Sequence, residues 1–131
     1  MTKKRIAIML AIVSLAVFFA PGCYKGTTVD LNQDLVITKD ISFAADLVPI
    51  FEKNCSISGC HAAGGISPDL STGKVYTSLT TSDYLDLSNP KNSELYGFVS
   101  GNITPAMPIG GADPVIAATI LAWIQQGAHN N

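Results

Sequence analysis

The sequence predicts an all-α domain built from short helices and long loops. Apolar residues recur at helical spacing in a few short stretches, and segments rich in Gly, Ser and Pro separate these stretches. One β-prone run, at residues 35–38, has no visible partner and is at most a short edge strand. At 131 residues, the chain is long enough for one domain of this class.

The first 22 residues are predicted to be a signal peptide. Basic residues at positions 3–5 precede an apolar run over residues 6–20, in which Ser14 is the only hydroxyl. At 15 residues this run is shorter than the roughly 20 that a membrane-spanning helix needs. Small residues then lead to Cys23, a pattern that resembles the lipobox of bacterial lipoproteins. We expect Cys23 to be lipidated as the first mature residue; the alternative is ordinary secretion with a free thiol.

The mature chain is predicted to be acidic. It carries five lysines against ten Asp and Glu residues, a net charge of −5, and no basic run follows residue 5. This composition argues against nucleic-acid binding. Attachment to a membrane would depend on the lipid rather than on a polybasic patch. We therefore expect a cell-envelope protein, anchored by lipid to a bacterial membrane on its periplasmic or surface face.

Residues 23–41 are predicted to be a tether and residues 42–131 the folded domain. The tether is rich in Gly, Thr, Asn and Asp, a composition typical of a spacer that lifts a domain off a membrane. Ser42 is a suitable N-cap for a helix. The apolar residues that follow form one stripe at helical spacing: Phe43, Leu47, Ile50 and Phe51. Because Pro49 interrupts the stripe, the helix is expected to start late or to kink there.

Two short helices are predicted in the middle of the chain. The first is expected around residues 74–79. The second is expected over residues 94–99, with Asn92 or Ser93 as its N-cap. Its interior Gly97 weakens it by roughly 1 kcal/mol relative to alanine.

The last helix has the clearest signals. Asp113 is a suitable N-cap and Pro114 suits the first helical position. Isoleucines then repeat at every fourth residue, with two further apolar residues beside them: Ile116, Ile120, Ile124, Val115 and Trp123. Gly127 predicts the C-terminal stop. We expect Trp123 and Ile124 to be core residues.

The most informative motif is the segment CSISGCH at residues 55–61, in which two cysteines precede a histidine. Two thiols can form thioethers to the vinyl groups of a haem, and the imidazole of His61 can ligate the iron. The usual attachment motif has two residues between the cysteines, whereas four separate Cys55 from Cys60. Three of these four residues are small, so the extra residues are expected to bulge outward.

Met107 is the candidate for the second axial ligand of such an iron. It is the only methionine of the mature chain, and prolines at 105 and 108 flank it in a Gly- and Pro-rich loop. The only other histidine, His129, lies in a polar tail after the last helix. Fewer than 90 residues of short helices form a poor core by themselves, and a covalent haem would supply an apolar plate for them to pack around.

Two other interpretations of the motif were weighed. A local disulfide between Cys55 and Cys60 suits an oxidising compartment, but it leaves His61 without a role. A structural zinc site needs four protein ligands, and the motif offers three. The carboxylates of Asp69, Asp83 and Asp86 lie in polar stretches and predict no acid–base site, so the chain is not expected to be an enzyme. Three tyrosines are expected to be half-buried: Tyr76, Tyr84 and Tyr96.

Residues 43–128 resemble a small bacterial c-type cytochrome domain of the kind carried on lipoproteins in Bacteroidetes and planctomycete-like proteins. Five short pieces carry the resemblance by their order and spacing. They are LVPIF before Asn54-Cys55, then SGCH at 58–61, Asn89-Pro90 with SELY at 93–96, AMP at 106–108, and AWIQQGA at 122–128.

The resemblance implies a cytochrome c-like fold around one covalent haem c per chain. It implies attachment at Cys55 and Cys60, His61 as proximal ligand and Met107 as distal ligand. The implied function is electron transfer with redox partner proteins. If Met107 does not ligate, the iron is open for peroxide or small-gas chemistry. The remaining alternative is a haem-free envelope lipoprotein with a Cys55–Cys60 disulfide and a structural or adhesive role.

Overall fold

The computed structural model of the chain describes residues 35–131. These residues form helices and loops without a strand, which confirms the predicted all-α class for the described part of the chain. The β-prone run at 35–38 has no regular structure. The predicted signal peptide, Cys23 and most of the predicted tether lie outside the described residues. In the described range, every helix is too short or too polar to cross a bilayer.

Four α-helices form the domain: α1 Val48–Asn54, α2 Val75–Thr80, α3 Glu94–Ser100 and α4 Pro114–Gln125. The helices α2, α3 and α4 lie within one or two residues of their predicted positions, whereas α1 begins six residues after the predicted N-cap, Ser42. Two short turns precede helices, a π-helical turn at Phe43–Leu47 and a 3₁₀ turn at Pro90–Asn92. Long loops separate α1 from α2, α2 from α3, and α3 from α4, and these loops carry the candidate site residues.

Pro49 determines how the first helix begins. It lies in the first turn of α1, where its missing N–H leaves no intrahelical bond unmade. The preceding turn widens to π geometry, in which the Val48 N–H donates to the Phe43 carbonyl. Ser42 caps this turn, since its hydroxyl accepts from the Ala45 N–H at 3.2 Å. The helical segment therefore starts at Ser42 as predicted, and the regular α-helix starts late.

The caps of the later helices follow the prediction at α4 and depart from it at α3. The Asp113 carboxylate accepts from the N–H groups of Val115 and Ile116 at 2.8 and 3.1 Å, as expected. Ser93 occupies the N-cap position of α3, but its side chain makes no cap hydrogen bond. Its buried hydroxyl instead accepts from the Asp86 N–H at 2.9 Å and ties the preceding loop to the helix.

Aromatic side chains form the centre of the core. Phe43 contacts Trp123 with ring centroids 5.2 Å apart and meets Tyr76 edge-to-face at 5.1 Å. Phe51 is buried beside them, 6.5 Å from Phe43 between centroids. Leu47 of the predicted stripe is also fully buried, and Ile120 and Ile124 join it from α4. The apolar stripes predicted for the first and last helices therefore pack against each other, as expected.

The residues after α4 are not a loose polar tail. The Ala128 N–H donates to the Trp123 carbonyl, and the Trp123 indole N–H donates to the His129 carbonyl, both at 2.9 Å. The Asn131 side chain accepts from the Phe43 N–H at 2.7 Å and donates to the Ile41 carbonyl at 3.3 Å. The C-terminal segment thus caps the start of the first helical turn, an interaction without a local sequence signal.

Candidate functional site

A large apolar cavity of about 670 Å³ lies between α1, α2, α3 and the three long loops. This volume is in the range of roughly 300–1,000 Å³ that is typical of small-molecule and cofactor sites. Five of its lining residues are also buried members of the hydrophobic core: Phe51, Leu70, Leu79, Leu95 and Val99. The cavity wall is therefore continuous with the core of the domain.

All four residues singled out by the sequence as haem-binding line this one cavity. Cys55, Cys60 and His61 reach it from the loop after α1, and Met107 reaches it from the loop between α3 and α4. Each of the four is partly buried. The fold thus brings the thiol–imidazole motif and the distant thioether to a common apolar space. His129, the other mature histidine, is exposed and does not line the cavity.

The imidazole of His61 is oriented by the loop that follows it. Its Nδ1 lies 3.1 Å from the carbonyl oxygens of both Ile66 and Pro68. Because a carbonyl oxygen only accepts, Nδ1 must carry the proton, which leaves the lone pair on Nε2. A ligating histidine commonly has its second nitrogen held in this way. This tautomer provides the form of imidazole that a metal binds through Nε2.

The four residues between the cysteines form an outward loop that returns the chain to its starting point. The Cys55 carbonyl accepts from the His61 N–H at 3.2 Å and closes this loop. The Cys60 N–H donates to the Ile57 carbonyl at 2.8 Å within it. Residues 57–59 are exposed, and Gly59 adopts a φ of +83° that a residue with a Cβ rarely takes. The spacer therefore reaches solvent, as expected, while Ile57 and Gly59 also line the cavity.

Both cysteines of the motif are free thiols in this structure. Burial raises the pKa of the Cys55 thiol to about 11, and the neighbouring Cys60 contributes to the same shift. Cys55 is therefore protonated at neutral pH. Since the thiolate is the reactive form, Cys55 is a weak nucleophile towards solvent reagents in the folded chain.

Gly65 is required by the close folding of the 60–66 loop. A Cβ at this position would lie 2.2 Å from the Cys60 carbonyl oxygen and 3.0 Å from that of Ala62. The neighbouring Ile66 N–H donates to the same Cys60 carbonyl at 2.7 Å. The loop that presents the carbonyl partners of His61 therefore closes only around a glycine.

We expect the Gly65→Ala substitution to displace this loop and to lower the stability of the domain. The contact is with backbone, which cannot rotate away, so the cost should reach about 3 kcal/mol, at the upper end for overpacking. Gly64→Ala is the matched control. Gly64 has a φ of +76°, but a Cβ there would meet no atom within 4 Å, so alanine at this position should add only about 1–2 kcal/mol of backbone strain. Urea unfolding should separate the two variants; equal losses of stability would contradict the assigned contact.

Asp69 stabilises the turn that follows Pro68. Its carboxylate accepts from the Ser71 N–H at 3.0 Å and from the Ser71 hydroxyl at 2.5 Å. These hydrogen bonds lower the pKa of Asp69. A lowered folded-state pKa gives stability that is present above the unfolded pKa and is lost as the pH falls through the folded one. Asp69 is thus a turn residue beside the site.

The loop with Met107 is held against α3 by backbone hydrogen bonds. The Met107 N–H donates to the Phe98 carbonyl, and the Ile103 N–H donates to the Gly97 carbonyl, both at 2.9 Å. A Cβ on Gly97 would lie 2.4 Å from the Ile103 side chain. The glycine that weakens α3 as a helix therefore allows the Met107 loop to pack closely on it.

Several site residues carried no signal in the sequence. Three exposed isoleucines line the cavity at its rim: Ile57, Ile66 and Ile109, at 49%, 63% and 79% exposure. Tyr84 and Glu94 line it as well, and Tyr84 is half-buried, as predicted, together with Tyr76 and Tyr96. An isolated isoleucine or glutamate in a loop or first helical turn has no pattern that would reveal such a position.

The comparisons with known proteins give no relative from which a function could be transferred. The described residues contain no group of three or more His, Cys, Asp or Glu side chains placed to hold a metal ion by themselves. The function has to be inferred from the cavity and its lining. No family model matches the chain, and neither a curated protein nor a solved structure is significantly similar to it.

Proposed function

We propose that the chain is a mono-haem c-type cytochrome that transfers electrons in the cell envelope. One observation carries the proposal: Cys55, Cys60, His61 and Met107 line the same apolar cavity. This donor set fits a covalent haem, since it offers two thiols for attachment and a nitrogen and a sulfur for the two axial positions. The cytochrome c-like fold and the lipid anchor at Cys23 belong to the same proposal.

The chain's own residues would have three roles towards the bound haem. Cys55 and Cys60 would hold it covalently, while His61 Nε2 and the Met107 sulfur would complete the coordination of the iron. The carbonyls of Ile66 and Pro68 fix the imidazole ring and its tautomer. When bound, the haem would supply an iron that gains and loses one electron. The buried apolar wall would exclude water from it.

Electron transfer suits this ligand set better than catalysis at the iron. With His61 and Met107 both ligating, no axial position remains for a substrate, and a thioether ligand raises the reduction potential. The described residues carry eight acidic groups and four lysines, so a redox partner would present a basic surface. Such an association would be transient and would weaken as salt is added.

The direct test of the proposal is whether haem is covalently attached to the chain. We expect the full chain, co-expressed with a c-type cytochrome maturation system, to retain its haem stain on a denaturing gel. The Cys55→Ser/Cys60→Ser double variant should lose the stain completely, because no thioether remains. Haem-stained gels and mass spectrometry of the intact chain would measure both results.

Cys23→Ser is the matched control, since it removes the third thiol and leaves the CSISGCH motif intact. It should keep the haem stain and lose membrane association, which also tests the proposed anchor. A colourless protein from the native host, with Cys55 and Cys60 joined in a disulfide, would contradict the proposal that the chain is a cytochrome. That result would favour the haem-free envelope lipoprotein instead.

A further inference from the structure

Glu94 is the only acidic side chain among the described residues that line the cavity, and no lysine or arginine lies beside it in this lining. All four described lysines are exposed and lie outside this lining: Lys39, Lys53, Lys74 and Lys91. The cavity therefore places a single negative charge, without a cationic neighbour in the lining, beside an otherwise apolar wall.

The backbone at Glu94 is held in place by the residue that follows it. It is the first residue of α3. The next residue, Leu95, is buried in the cavity wall, and the Leu95 N–H donates to the Tyr84 carbonyl at 3.1 Å. Because its neighbour is anchored in this way, Glu94 remains at the edge of the cavity.

A negative charge beside a bound redox group changes the free energies of its oxidised and reduced forms by different amounts. A negative charge stabilises the more positive, oxidised form of a bound redox group, and an apolar wall screens that interaction less than water does. We propose that Glu94 tunes the redox site by lowering its reduction potential, offsetting part of the rise that a thioether ligand produces. This inference rests on the proposed haem function. It assigns Glu94 an electrostatic role rather than a catalytic one.

A charge series tests the inference. The midpoint potential of the purified haem protein should rise in Glu94→Gln and rise further in Glu94→Lys. Asp40→Asn and Asp40→Lys are matched controls, since Asp40 is exposed, its side chain accepts no hydrogen bond from residues 35–131 and it does not line the cavity. We expect smaller shifts in the control series. Because Glu94 is itself exposed, added salt should reduce its effect.

The visible spectrum shows whether each variant contains haem and keeps its iron ligands, so that a failed inference can be told from a failed haem proposal. If all variants keep the haem and its ligand-dependent bands but the two series shift equally, only the net charge matters and the role of Glu94 is refuted. Unchanged potentials in both Glu94 variants would refute it as well. If no variant contains covalent haem, the proposed function fails, and this inference fails with it.

Discussion

In the proposed cytochrome, replacing Met107 with leucine is expected to leave the haem attached and to remove one ligand of its iron. Leucine approximates the volume of methionine, so the substitution should cost less than about 1.5 kcal/mol of stability. It removes the only methionine that follows the predicted signal peptide. Without the thioether, the reduction potential should fall by tenths of a volt, within the roughly 0.8 V that axial ligands span.

Spectroscopy and redox titration measure this effect directly. Absorption spectra should lose the features of sulfur ligation, and carbon monoxide should bind to the reduced variant but not to the wild type. Ile109→Ala is the control from the same loop, since Ile109 lines the cavity and is 79% exposed. It should retain the ligand bands and the potential. A Met107→Leu variant with the spectrum of the wild type would rule out Met107 as a ligand.

Replacing Trp123 with alanine is expected to produce the largest loss of stability. The side chain is 1% exposed, contacts Phe43 and Tyr76 in the aromatic core, and donates to the His129 carbonyl. Truncation of a buried tryptophan costs about 3–5 kcal/mol. Native domains have only about 5–15 kcal/mol in total, so the variant should be marginally folded at best.

Urea unfolding gives the measurement for Trp123→Ala. With a dependence of about 1–3 kcal/mol per molar urea, the midpoint should fall by at least about 1 M, or no folded baseline should remain. Val115→Ala on the same helix is the control, because Val115 is 58% exposed, and it should change stability by no more than about 0.5 kcal/mol. Similar midpoints for the two variants would contradict the central place of Trp123 in the core.

The features that local sequence determines were predictable. The bounds of α4 follow from Asp113, Pro114 and Gly127, because capping and helix termination depend on neighbours a few residues apart. The apolar stripes of the first and last helices identify the core for the same reason. His61 and its carbonyl partners were also within reach, since the loop that holds the ring follows directly in the chain.

The features that depend on distant contacts were not predictable. Ser93 has the right position for a cap, but its hydroxyl is drawn to the Asp86 N–H by the folding of the preceding loop. The anchoring of Asn131 at the first helical turn joins the two ends of the domain. The cavity itself is formed by loops far apart in sequence. Met107 was singled out because it is the only methionine after the predicted signal peptide and because prolines at 105 and 108 flank it.

The contacts at the beginning of the domain have a mechanical consequence. Gln126 accepts from the Ile41 N–H at 2.8 Å and donates to the Lys39 carbonyl at 3.0 Å, while Asn131 donates to the Ile41 carbonyl. Tension on the chain ahead of Lys39 would load these bonds together instead of peeling the first turn away one bond at a time. A domain pulled from that side would transmit the force into its longest helix, away from the loops that surround the cavity.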